Sequence, residues 1–250
     1  MAKVIAPFKI TGTLDDLTFY IDQENTNRVK TKGNPGITKE QFRDNPIFDR
    51  IRNQASEFGS CAKKSQSFRK VAHYFNNRAK DGSFSGRSNK LMLDILSEDQ
   101  TNPTGRRTVE KGLESQDAKE YFIGFEGNKL RPLKKVLKTK WNWNANESQL
   151  TINKFNPIKH IDWPEEAEFV SIAIARANWN YTNDSFTTEY SNEIVINKEE
   201  KPLNILLETK IPTENQLQLT FLFIGFSIKY RKTTKELKRS NNTVSIIWSH

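Results

Sequence analysis

Leu217-Gln-Leu-Thr-Phe-Leu-Phe-Ile-Gly-Phe-Ser-Ile-Lys-Tyr230 is the longest β-patterned run in this 250-residue chain. Leu217, Leu219, Phe221 and Phe223 alternate onto one side, the two-residue period of a strand with a buried face. Gly225 behind them is expected to mark a bulge or bend. Shorter runs of the same texture lie around it: Leu150 to Phe155, Phe169 to Ala175, Glu193 to Asn197, Asn204 to Glu208 and Val244 to Trp248, separated by Asn, Pro and charged turns. Strands at this near-regular spacing predict a sandwich or barrel. Lys229 to Arg239 reads as a hairpin tip, and Gly127-Asn128 as a hairpin-type turn that opens the β-rich part. Residues 129–250 are therefore expected to form a β-sandwich-like all-β domain.

Upstream the texture differs. Phe8 and Ile10, then Leu17, Phe19 and Ile21, alternate in strand fashion around an Asp15-Asp16 turn, predicting an N-terminal β hairpin or arm over residues 1–36. Gly33-Asn34-Pro35-Gly36 breaks the pattern, and Thr38 followed by Gln41 has the spacing of a capping box. Asn45-Pro46 is a second helix start, after which Ile47, Phe48, Ile51, Ala55 and Phe58 share one helix face until Gly59, which is expected to end or kink the helix. Phe68, Val71, Ala72, Phe75 and Ala79 mark a second helical stripe, and Leu91, Met92, Ile95 and Leu96 a third. A fourth, short helix is expected between Thr104 and Leu113. The whole is an α+β fold: an N-terminal β arm, a basic helical region over 37–128, and the β-sandwich-like domain.

A chain of this length can bury a proper core without metal or disulfide staples, and although apolar residues are only 35% of it, 16 Phe, 5 Trp and 6 Tyr supply large buried area per residue. Cys61 is the sole cysteine, which favours a reducing compartment. The N-terminal residues lack the apolar run of a secretory signal, and no segment approaches the length of a membrane span, so a cytoplasmic location without a membrane span is expected.

Most catalytic classes lack their constellation here. His73, His160 and His250 are far apart in sequence and match no metal spacing. Cys61 reads as a structural thiol rather than a nucleophile, and His160-Ile-Asp162 as a chance pairing rather than a base and its orienter. Gly82-Ser-Phe-Ser-Gly86-Arg87 has neither the Walker nor the dinucleotide spacing; it reads as an interhelical loop whose amides and Arg87 would favour an anion. Acidic pairs such as Asp15-Asp16 and Glu165-Glu166 fall in turns, unlike a spaced catalytic dyad. No enzyme activity, cofactor or metal is expected.

The charge pattern is sharper. Between Arg28 and Lys90 there are 15 Lys/Arg against 5 Asp/Glu, so this block accounts for the whole formal net charge of +9. Packing the apolar stripes inward would turn cations outward, and the expected contact residues are Arg50, Arg52, Lys63, Lys64, Arg69, Lys70, Arg78, Arg87, Arg106 and Arg107. Their partner would be another copy of the chain, nucleic acid or an acidic protein surface.

Phe8-Lys-Ile-Thr-Gly-Thr-Leu-Asp-Asp-Leu-Thr-Phe-Tyr20, Lys32-Gly33, Arg52-Asn-Gln-Ala-Ser-Glu-Phe-Gly59 and Gly105-Arg-Arg-Thr-Val-Glu-Lys-Gly112 resemble a widespread group of uncharacterised proteins from Bacteroidota, most strongly over residues 8–128. That group has no established activity, so the resemblance implies no substrate or site residue. Two roles stand as expectations: a structural, self-assembling or scaffold subunit of an oligomer, filament or phage-like particle, or a nucleic-acid-binding protein acting through residues 28–90.

Overall fold

The computed structural model describes residues 2–33, 36–211 and 216–250. Asn34 and Pro35 of the expected Gly33–Gly36 break lie outside the described residues. The chain divides into two units, Met1–Asp49 and Arg50–His250.

In the first unit, β1 (Ala2–Lys3), β2 (Gly12–Leu14), β3 (Leu17–Ile21) and β4 (Asn27–Thr31) form an antiparallel sheet in the order β1-β4-β3-β2. Asp15 adopts φ +47° at the expected Asp15-Asp16 turn, a conformation that Asp tolerates better than most residues. A second turn is organised by Asp22, whose carboxylate accepts from the Glu24 and Thr26 amides and from Arg28 Nε. Phe8 and Ile10, expected in a strand, lie outside one. The Asn27 amide donates to the Ile10 carbonyl and accepts its N–H, so a side chain takes the place of a ladder, while β1 occupies the β4 edge instead. Helix α1 (Lys39–Asp44) carries the expected capping box, with Thr38 Oγ1 accepting from the Gln41 amide and Gln41 Oε1 from the Thr38 amide. Asn45 then caps a 3-10 turn, Pro46–Phe48.

The second unit takes up the long helix α2 (Asp49–Val71). Gly59 does not end or kink it: the helix runs through, because a glycine in a helix interior costs only about 1 kcal/mol and the packing of later turns outweighs that. The break comes at Ala72 (φ −117°, ψ 50°), after which α3 (His73–Ala79) continues the same apolar stripe. Helix α4 (Phe84–Ser97) starts inside the stretch expected to be a loop.

Helix α5 (Val109–Gly112) begins five residues later than Thr104. The intervening loop is held by two carboxylates: Asp99 accepts from the Thr101, Asn102 and Thr108 amides, and Glu57 from the Gly105 amide, leaving Thr108 to cap α5. After α6 (Gln116–Glu120), Gly127-Asn128 forms no hairpin. Gly124 and Gly127 donate to Ile246 and Val244 carbonyls, so this loop runs along a strand edge. Helix α7 (Leu133–Val136) leads into the sheets.

Strands β5 (Asn142–Asn144) and β6 (Gln149–Phe155) are followed by α8 (Pro157–His160), then by β7 (Phe169–Asn180), β8 (Ser185–Tyr190), β9 (Ile194–Asn197), β10 (Leu203–Glu208), β11 (Leu217–Tyr230), β12 (Thr233–Glu236) and β13 (Thr243–Ser249). One sheet is β10-β6-β5. The other is built on the antiparallel pair β7 and β11, in register from Leu217↔Trp179 to Ser227↔Phe169. β7 is flanked by β8 and β9 on successive halves of its length, and β11 by β13 and β12.

Each face of this large sheet has its own cover. Ala173, Ala175, Ala177 and Trp179 with Leu217, Leu219, Phe221 and Phe223 pack on the helices through Phe68, Val71, Phe75, Met92 and Ile95. Val170, Ile172 and Ile174 with Leu222, Ile224 and Phe226 pack on Leu150, Ile152, Phe155, Ile205 and Leu207 of the smaller sheet. The second pairing is the expected sandwich, and its strands read as nearly continuous apolar runs because helices cover the far side. The expected boundary at residue 128 thus falls inside the second unit.

Gly225 marks no bulge between β7 and β11, since pairing is continuous through Gly225↔Ser171. Its lack of a side chain serves close packing instead: a Cβ there would stand 2.8 Å from the Phe223 ring.

Candidate functional site

The ten expected contact cations separate into two groups. Lys64 is buried, and its ammonium bonds Glu110 (2.7 Å), Asp184 (2.9 Å) and the Tyr181 carbonyl (2.6 Å). Arg78 binds both Glu193 oxygens (2.9 and 2.8 Å) and Glu236 (3.0 Å), with its guanidinium 4.3 Å from the Phe223 ring centre and 4.8 Å from that of Tyr74. Burial opposes the charge at both residues, yet the paired carboxylates raise both above their ordinary values. Arg87 clasps Asp81 and the Glu126 and Gly127 carbonyls, and Arg107 forms a two-point pair with Glu57. Arg69 donates to Ser65 Oγ and the Ser85 carbonyl. Arg52 is half-buried, and Arg50, Lys63, Lys70 and Arg106 are exposed. Much of the basic block therefore ties helices to sheet edges and loops within the chain.

The groups weighed for catalysis are not assembled. Cys61 is wholly buried with Sγ 3.5 Å from the Met92 carbonyl, and burial, aided by Glu57 and Glu110, pushes its thiol up to about 12. His160 Nδ1 accepts from the Asn156 amide, while the Asp162 carboxylate is held by Arg131 (2.7 Å) and Lys138 (3.2 Å). Around Gly82–Arg87 the anion is already present: Asp81 accepts from the Ser83 and Lys129 amides as well as from Arg87. No cluster of His, Cys, Asp and Glu able to hold a metal occurs among the described residues. No helix among them is long and apolar enough to cross a membrane.

The least expected surface is apolar. Among the described residues of the first unit only Asn27, a polar one, is buried. Ile5 (94% exposed), Phe8 (64%), Leu14 (68%) and Ile47 (75%) stand in solvent, with Leu17, Ile21, Ile37 and Phe42 also exposed. In the second unit the first turns of α2 show Ile51, Ala55 and Phe58 outward at i, i+4 and i+7. These residues carry the periodicity of a core stripe, and that periodicity is the signal in the sequence for a covered face. Comparison with protein-family models, curated proteins and solved structures finds no match.

Proposed function

We propose that this chain is a structural, self-assembling subunit whose N-terminal β unit is an assembly arm covered by another copy. The observation that carries this reading is the absence of any buried apolar side chain among the described residues of that unit. A sheet of under about 50 residues is marginal even with a core, and natural examples add disulfides, metals or association. The unit has no cysteine for a disulfide, and its exposed apolar side chains suit association. Its display of large apolar side chains is what a subunit contact requires, and a closed interface formed from the same patch on each copy would bury it symmetrically.

The test is the molar mass of the full chain by light scattering beside a Leu14→Lys/Leu17→Lys variant. Both side chains are exposed in the protomer, so its fold should persist. An oligomer for the parent chain and a monomer for the folded variant is the expected result, and equal masses would overturn the proposal.

A further inference from the structure

Arg176 lies on β7 and is 4% exposed, the most deeply buried arginine of the chain. Arg78, Arg87, Arg107 and Arg131, whose side chains are also largely withdrawn from solvent, each hold a carboxylate. Arg176 holds none among the described residues. Its Nη1 donates to the Ala145 carbonyl (2.7 Å) and its Nη2 to Gln218 Oε1 (2.6 Å), while Nε is buried without a partner. The Trp248 and Trp143 rings lie 5.2 and 5.9 Å from the guanidinium, which offsets part of the desolvation but supplies no negative charge. Desolvation depresses its pKa, as expected of a cation with no counter-ion.

The surroundings are polar where the rest of that sheet face is apolar. Thr220 pairs with Arg176 across the sheet and Gln218 with Asn178, where Ile174 and Leu222 occupy the preceding level. Thr220 Oγ1, Asn178 Oδ1 and Trp143 Nε1 are all buried and unpartnered. A cavity of about 300 Å³ adjoins this cluster through Gln218 and His250, and Lys119, Asn180 and Gln216 also line it. Its size is at the small end of the range for ligand sites.

We infer that Arg176 and the adjoining cavity form a binding site for a small organic carboxylate. The guanidinium edge formed by Nε and Nη2 matches the two oxygens of a carboxylate, and the Gln218 side-chain carbonyl stands where one of them would sit. Gln218, which covers Nη2, also lines the cavity, Lys119 adds a second cation at its wall, and the Trp143 and Trp248 rings flank the guanidinium. This inference is independent of the assembly reading.

The experiment is calorimetric titration and thermal unfolding of the full chain with sodium acetate and sodium benzoate, against sodium chloride at equal ionic strength and against inorganic phosphate. Saturable binding of acetate or benzoate with a rise in Tm is expected, and the response should disappear in Arg176→Met. A Gln218→Glu variant keeps the test decisive if Arg176→Met does not fold. By placing a carboxylate on Arg176 it should raise Tm by about 2–4 °C without ligand and abolish the carboxylate response. A lowered Tm for Gln218→Glu, a carboxylate response no larger than that of chloride, or tighter binding of phosphate than of either carboxylate would overturn the assignment.

Discussion

Glu126 shows how one residue sets a pH dependence. Its Oε1 accepts from the Leu133 amide (3.1 Å), yet burial raises the carboxyl to about 7, against the Leu133 N–H, the Ser245 and Thr243 hydroxyls and Arg87, all of which act downward. A carboxyl raised in the folded state binds its proton more tightly there than in the unfolded chain. Stability therefore falls as pH rises from about 4.5 to 7, the opposite of the effect of a paired carboxylate. Glu126→Gln should flatten that slope and stabilise the protein at pH 8 by an amount on the order of 2 kcal/mol, read from urea unfolding at pH 5 and pH 8. Arg78 is the contrasting case, a cation between two carboxylates and two rings. Arg78→Ala should cost about 3–5 kcal/mol by leaving Glu193 unpaired, and Arg78→Lys should recover little because the planar fork and the stacking are lost. Urea midpoints of the two variants check this.

At the scale of the element, α2 separates what pattern reveals from what it conceals. Its apolar spacing identified a helix, and Thr38 with Gln41, and Asn45 with Pro46, marked helix starts that the structure contains. The alternation in β11 placed Leu217, Leu219, Phe221 and Phe223 on one buried face. Gly59 was misleading because its cost is local, while helix persistence is decided by the packing of Cys61, Phe68 and Val71. An added Cβ at Gly59 meets nothing within 4 Å, so Gly59→Ala should raise stability by about 0.5–1 kcal/mol without changing the structure, measured by thermal circular dichroism. The cations flanking the stripes were legible as charges but not as clasps. Glu110, Asp184, Glu193 and Glu236 reach Lys64 and Arg78 from distant parts of the sequence. Arg176 was hidden for the same reason, since a missing counter-ion is a property of the folded surroundings and not of a motif.

On the scale of the whole molecule, the two units face different problems of burial. Residues 50–250 enclose one core on each side of the large sheet, and Phe223, stacked on Phe75 at 4.9 Å, sits where sheet and helices meet. Phe223→Ala should cost about 3–5 kcal/mol in global unfolding. Residues 2–33 and 36–49 fully bury no apolar residue, and Ile5, Phe8, Leu14 and Ile47 among their large side chains stand in water. The proposed contact between copies would be apolar and so should persist as salt rises. Nucleic-acid binding through exposed cations such as Arg50, Lys63, Lys70 and Arg106 would instead weaken steeply as salt rises.

The most direct measurement is the size of the nuclease-treated protein by light scattering and negative-stain microscopy at about 50 and 500 mM salt, a range over which phosphate contacts are lost. The self-assembly account predicts regular oligomers or particles of the same size at both salts. A monomer at both, associating only when nucleic acid is added at low salt, would contradict it.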